Sequence, residues 1–391
     1  MKIGIYQSYW GRLGGGQRYV GVVAEMLARE HNVEIVHHCE TFDRMMVEEG
    51  LDVDLSRVCF RYLPRCERPT WPSRHPLRRL EMERRWGREI SRPYDLFVDS
   101  SDVPPFFCHA ERGVLLIHFP LVGFEEFHGR DTEAWRSWSR ARRMLVGMFH
   151  RLEWNRRFRT YERCIVNSEF TRRWIKRLWG LDAEVVYPPL REGVHSGRKL
   201  QQILTIGAFS SSGHKKHLLL IDAFRRLCES GIQNWRYVFA GACSESAEDR
   251  AYVSRLRENA ADLPVEIQTN LTGTAINKLL SESSILWHAM GHGIDPQACP
   301  HRMEHFGMVA TEAQSAGAVP IVFCGGGLPE IVTPGRDGFL WSTIDELVEQ
   351  SAKLASDPKT LRLLSDQSRK SALRFARPIF ESRLRQALPL G

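Results

Sequence analysis

The stretch Glu304-His-Phe-Gly-Met-Val-Ala-Thr-Glu312-Ala-Gln-Ser-Ala-Gly317-Ala-Val-Pro-Ile-Val-Phe-Cys324-Gly-Gly-Gly-Leu-Pro-Glu330-Ile-Val decides how this chain is read. Its layout is loop, helix, buried strand and Gly-rich turn. An apolar-periodic run starts near Gly307 and stops at Gly317, and a Gly closing such a run predicts a helix terminus. Residues 319–323 are a short apolar run, as expected of a strand in a parallel sheet. Three glycines at 325–327 let backbone approach a ligand without a side-chain clash. The start of the helix offers N–H groups and the positive end of the peptide dipoles, a ready anion site. Two carboxylates flank that start, Glu304 in the loop before it and Glu312 about one and a half turns inside it.

Outward from this stretch the chain alternates strand and helix. In the second half, strands are expected at 202–206, 237–240, 265–267 and 284–289, with helices at 218–228, 247–259, 274–281, 345–354 and 359–375. In the first half, strands are expected at 2–7, 33–37, 94–99 and 113–118, with helices at 17–29, 77–90 and a long one over 131–161. Such alternation implies right-handed parallel βαβ units. The fold class is α/β, with two Rossmann-like domains facing a cleft. Pro188-Pro189 and the polar residues after them read as a linker. The expected division is 1–192, 193–375 and a terminal helix, 376–391, returning to the first domain. The Gly-rich turn at Gly11 and Gly14-Gly15-Gly16 follows the first strand, where open α/β sheets bind ligands, but lacks the spacing of a dinucleotide fingerprint.

The chain has 391 residues, right for two ordinary domains; 43% are hydrophobic and 26% charged, a globular balance. No apolar run reaches the roughly 18 residues of a membrane span. The nine cysteines lack metal-ligand spacing and suggest reduced thiols in a cytoplasmic protein. A formal charge of +7 favours anionic partners. A zinc pattern, a helix-turn-helix signal and a Gly-aromatic RNA motif are all missing, so nucleic acid is not an expected partner.

The order Glu304, Phe306, Gly307, Glu312, Ala313, Gly317, Pro320, Gly326, Gly327 and Glu330 resembles the signature of retaining glycosyltransferases of the GT-B fold, family 4. The resemblance covers nearly all of the second half and isolated motifs of the first. It implies transfer of a hexose from a nucleotide-diphosphate sugar to a glycan or lipid-linked acceptor, in surface-polysaccharide or glycolipid assembly, with no cofactor and no metal. It puts Glu304 against the transferred sugar and Glu312 on the nucleotide ribose, with His305, Phe306, Gly307, Met308 and Val309 beside the donor. Ile117-His118-Phe119-Pro120 resembles the family's His-x-Pro, which places His118 near the anomeric carbon. Gly15 and Gly16 match the family's N-terminal Gly-Gly loop. The donor-phosphate loop is matched by the stretch from Gly207 to Phe224, with Lys215 in the position of the family's Lys and Lys216 beside it. Ala208 stands where that loop carries an Arg; Lys216, His214 or Arg302 are the available replacements.

Three other classes fit part of this reading: a GT-B-fold epimerase or phosphorylase, a basic non-catalytic binding protein, and a scaffold made inactive by Ala208. One further expectation concerns the 130–177 region, where arginines alternate with Trp135, Trp138, Met148, Phe149 and Trp154. Basic and aromatic residues on one helix suit peripheral contact with an anionic membrane at the inner face.

Overall fold

The computed structural model describes residues 1–10, 13–64, 76–130, 133–191, 193 and 197–390. The expectations on Gly11, Pro69, Pro72, Asp131 and residues 192 and 194–196 of the linker lie outside the described residues. The chain divides into two compact units, Met1–Tyr187 with Phe380–Gly391, and Pro188–Ile379.

The first unit is built on seven parallel strands: β1 (Lys2–Tyr6), β2 (Asn32–His37), β3 (Val58–Tyr62), β4 (Leu96–Asp99), β5 (Arg112–Ile117), β6 (Arg163–Val166) and β7 (Glu184–Val185). Their spatial order is β3-β2-β1-β4-β5-β6-β7, so the direction of winding reverses beside β1. Period-two alternation sends Ile3, Ile5, Val33, Ile35 and Val98 to one face, against Val20, Val23 and Leu27 of the helix Gly15–Ala28. Tyr6, Val36, Phe97, Leu115 and Ile117 go to the other face, against Trp86, Phe106 and Trp154. Both faces are covered, which is why these strands read as unbroken apolar runs. The last helix, Arg377–Ala387, sets Phe380, Leu384 and Ala387 into the first of these two cores.

The second unit holds six parallel strands: β8 (Leu200–Ile206), β9 (Arg236–Gly241), β10 (Val265–Thr269), β11 (Ser283–His288), β12 (Val319–Phe323) and β13 (Phe339–Trp341). Their order is β10-β9-β8-β11-β12-β13. Its core gathers Phe224, Tyr237, Phe239, Ile285, Trp287 and Trp341.

Two expectations need correction. Strand β3 was not expected; it is an edge strand with only Val58 of its five residues buried, too weak an apolar pattern to separate from a loop. The long helix over 131–161 is broken. A short turn of helix, Glu133–Arg136, is followed by Ser139, whose hydroxyl accepts from Arg142 N–H and caps a new helix, Arg140–Phe158. Trp135 and Trp154, expected at an interface, are buried in the protein. Arg157 on the same helix is fully buried. It meets Glu83 and, at 2.5 Å, Glu153, and it donates to Pro105 O at 2.5 Å. Burial works against its charge, but the two carboxylates outweigh that and hold it protonated.

His217, the first residue of the helix His217–Glu229, is 1% exposed, packed on Phe209 and Phe239, with Nδ1 3.3 Å from the Tyr252 hydroxyl. Burial, then the charges of Lys215 and His288, push it down to about 3. The unfolded chain therefore takes up this proton first. The stability that neutral His217 contributes is present above the ordinary imidazole value and is lost as pH falls toward about 3. Within that window the expected slope is about 1.4 kcal/mol per pH unit from this one group. His217→Asn should flatten the slope of urea-unfolding free energy against pH by one proton. An unchanged slope would assign the acid sensitivity to another group.

Candidate active site

The candidate residues of the second unit collect at the carboxyl ends of its strands. Lys215 lies in the loop after β8, His288 closes β11, and Glu304 sits in the loop between β11 and the helix Met308–Ala316. Lys215 Nζ donates to Glu304 Oε2 at 2.7 Å, and His288 Nε2 lies 2.9 Å from the same oxygen. Burial pushes the Glu304 carboxyl up, but the Lys215 charge and the His288 hydrogen bond outweigh it and hold the group well below the usual carboxylate range. Burial lowers His288 in turn. The neutral ring donates its Nε2–H to the carboxylate.

The loop that presents Glu304 is fixed by its backbone. Gly327 N–H donates to Glu304 O at 2.8 Å. A Cβ on Gly326 would lie 2.0 Å from Glu304 O, and one on Gly327 2.4 Å from His305 O. Gly326 and Gly327 thus admit the Glu304-His305 backbone and set the carboxylate's position, while Gly325 packs on the Met303 and Phe323 side chains. Phe306 is buried with its ring against Phe375 at 5.5 Å, so its side chain serves the core. Gly307 caps the helix without a side-chain acceptor, and Met308 and Val309 form its half-buried first turn. What the 305–309 segment offers an anion is backbone N–H.

Glu312 is buried, with Oε1 3.6 Å from Arg191 Nε. Arg191 had been read only as linker. The loop after β8 is strongly cationic. His214 is lowered by burial and then by Arg302, Lys216, His301 and Lys215. Lys216 caps the following helix in a left-handed conformation, φ 59°, with no side-chain acceptor.

In the first unit, Gly15 and Gly16 open the helix Gly15–Ala28, whose Gly14 cap also lacks a side-chain acceptor. A Cβ on Gly16 would lie 3.5 Å from the His118 ring. His118 follows β5. Its N–H donates to Asp102 Oδ1 at 2.6 Å, its Nδ1 is 3.3 Å from Asp102 Oδ2, and its carbonyl accepts from Thr171 Oγ1 at 2.9 Å. The Tyr19 ring meets it edge-on at 5.6 Å. The sequence reading missed Asp102 and His288. Both sit where it did look for His118, at the carboxyl end of a sheet strand. Among the described residues, no three His, Cys, Asp or Glu side chains converge to hold a metal ion.

The sequence profile described as "Glycosyl transferases group 1" matches residues 190–371, and the one described as "Glycosyltransferase Family 4" matches residues 13–191. Among solved structures, Anabaena Alr3699/HepE in complex with UDP and glucose superposes with a TM-score of 0.68 over 100% of both chains at 14% identity. Sucrose-phosphate synthase from Thermosynechococcus elongatus gives 0.65 over 98% of this chain and 97% of that one, also at 14% identity. WaaG, a glycosyltransferase involved in lipopolysaccharide biosynthesis, gives 0.65 over 100% of each chain at 14% identity. A comparison with curated protein sequences gives no match. With a glycosyltransferase profile on each half and the GT-B fold throughout, the chain is a glycosyltransferase of the GT-B type.

Gly326 and Gly335 are both left-handed, at φ 64° and 75°, but nothing lies within 4 Å of a Cβ on Gly335. Gly335→Ala should therefore cost only the conformational term, about 1–2 kcal/mol. Gly326→Ala should cost clearly more, because the Glu304 backbone must move. Equal denaturant midpoints for the two variants would mean that the turn does not brace Glu304.

Proposed function

We propose that this glycosyltransferase is a retaining family 4 enzyme that moves a hexose from a nucleotide-diphosphate sugar to a glycan or lipid-linked acceptor. In this reading it works in the cytoplasm, in surface-polysaccharide or glycolipid assembly, and needs no metal. The observation that carries the reading is Glu304, kept ionised between Lys215 and His288 immediately before a helix start without a side-chain cap. HepE has been seen with UDP-glucose, and WaaG is involved in lipopolysaccharide biosynthesis; both support the donor and the product class.

The chemistry follows from the charges. As the bond to the diphosphate breaks, negative charge grows on the leaving phosphate and positive charge on the sugar ring. Lys215, the cations around His214 and the N–H groups at Met308 and Val309 stabilise the first. The Glu304 carboxylate stabilises the second. Bound to Lys215 and His288, it acts as a fixed charge rather than a nucleophile. The leaving phosphate takes the acceptor's proton on the same face, which gives retention. Arg302, Lys216 and His214 stand in for the cation that Ala208 does not supply. Glu312 takes the ribose, and Arg191 holds its carboxylate. In the first unit, Asp102 fixes His118 so that it meets the sugar.

Glu312→Ala should weaken nucleoside-diphosphate affinity by about 10–100-fold, the worth of one charged hydrogen bond. Unchanged affinity in a folded variant would remove the ribose role. Glu304→Gln keeps the shape and loses the charge, so kcat should fall much more than nucleotide affinity. An unaltered kcat at saturating donor would take Glu304 out of the reaction. Lys215→Ala should cost more nucleotide affinity than Lys216→Ala, and turnover should survive a chelator. The reverse order for the lysines would move the phosphate site by one residue.

A further inference from the structure

The helix Arg140–Phe158 has two faces that differ in an unusual way. His150, Glu153, Trp154, Arg157 and Phe158 are buried and hold it to the first unit. The opposite side carries Met144, Leu145, Met148 and Leu152, which are 65%, 66%, 58% and 55% exposed. At spacings of one, four and eight residues these four share one stripe. Arg140, Arg142, Arg143, Arg151 and Arg156 are exposed on the same helix. Its one acidic residue, Glu153, is buried against Arg157 and turned away from solvent. The exposed side is thus large apolar side chains edged by guanidinium groups, with no carboxylate among them.

We propose that this face lies on an anionic membrane surface, with the stripe entering the headgroup–acyl boundary and the arginines among the phosphates. An interfacial helix needs that combination of apolar stripe and cationic edge. A second copy of the chain fits less well, because an isologous contact would set arginines against arginines. Beside this helix, Arg151 and Arg177 also line an open cleft of about 460 Å³ with Phe124, Trp154 and Trp179. Glu125 and Glu126 line it too, so the proposal rests on the helix face and not on the cleft. Among the described residues no helix is long and apolar enough to cross a membrane, so this contact is with one leaflet. The proposal goes beyond the transfer reaction and is independent of it.

The test is co-sedimentation of the full chain, without donor, with vesicles of phosphatidylcholine alone and with vesicles containing phosphatidylglycerol. Binding should need the anionic lipid and weaken as ionic strength rises. Replacing Arg140, Arg142 and Arg156 together by Gln should lower partitioning about a hundredfold, at about 1 kcal/mol per cation. Leu145→Glu with Met148→Glu should abolish it. All five positions are exposed, so far-ultraviolet circular dichroism should show both variants folded. No binding at low ionic strength, equal binding to neutral vesicles, or wild-type binding by both variants would overturn the proposal. A solution dimer that Met148→Glu dissociates, without vesicle binding, would assign the face to a second copy.

Discussion

Parallel strands cannot be joined by tight turns, and that constraint arranges the rest of this protein. Each strand must be followed by a crossover that climbs back along the sheet, so all the strands of a unit end at the same edge. Residues far apart in the chain meet there without any local signal between them. Lys215 and Glu304 are 89 residues apart and share a 2.7 Å hydrogen bond, because one follows β8 and the other follows the neighbouring β11. In the first unit, Asp102 follows β4 and His118 follows the adjacent β5. The sheet supplies the frame and the loops carry the candidate residues.

The two units use buried charge differently. Arg157 with Glu83 and Glu153 is sealed off in the first unit, its guanidinium held by both carboxylates and by Pro105 O. Such a cluster adds little net stability over an apolar core of equal volume, but losing one member leaves a stranded charge and is costly. It ties the helix Arg140–Phe158 to the helix Pro76–Ser91 and sets which side of the former meets solvent. Lys215 and Glu304 are only partly covered, with side chains 27% and 19% exposed. The first arrangement is closed to solvent, the second open to it.

Much of this was legible in the sequence, and the rest was not, for physical reasons. The helix Met308–Ala316 lies between Gly307 and Gly317 as its glycines imply, because a left-handed cap selects Gly on backbone grounds alone. Strands buried on both faces announce themselves as apolar runs. Edge strand β3 does not, since Arg61 and Tyr62 belong to it as readily as to a loop. The break at Ser137–Ser139 stayed hidden because arginine-rich sequence favours helix on either side, and only the cap at Ser139 ends the run. Glu304 and Glu312 were visible from their setting in one contiguous string. Their partners His288 and Arg191 were not, since a partner reached through sheet topology leaves no mark in local spacing. The bracing role of Gly326 and Gly327 was hidden for a related reason: a gap that admits a ligand and a gap that admits another stretch of backbone demand the same residue.

The last helix has a consequence for how the chain is made. Phe380, Leu384, Ala387 and Leu388 are nearly solvent-free members of the first unit's core, and Phe380 rests at 5.5 Å on Tyr19. Tyr19 in turn donates its hydroxyl proton to Val186 O at 2.8 Å and presents its ring to His118. Domains ordinarily fold as they leave the ribosome, the N-terminal one first. Here the first unit cannot finish its core until residues beyond 379 have emerged, after the whole second unit has been synthesised. During that interval Tyr19, whose other neighbour is the His118 ring, lacks its contact with Phe380. The N-terminal half is therefore born waiting for residues 380–388.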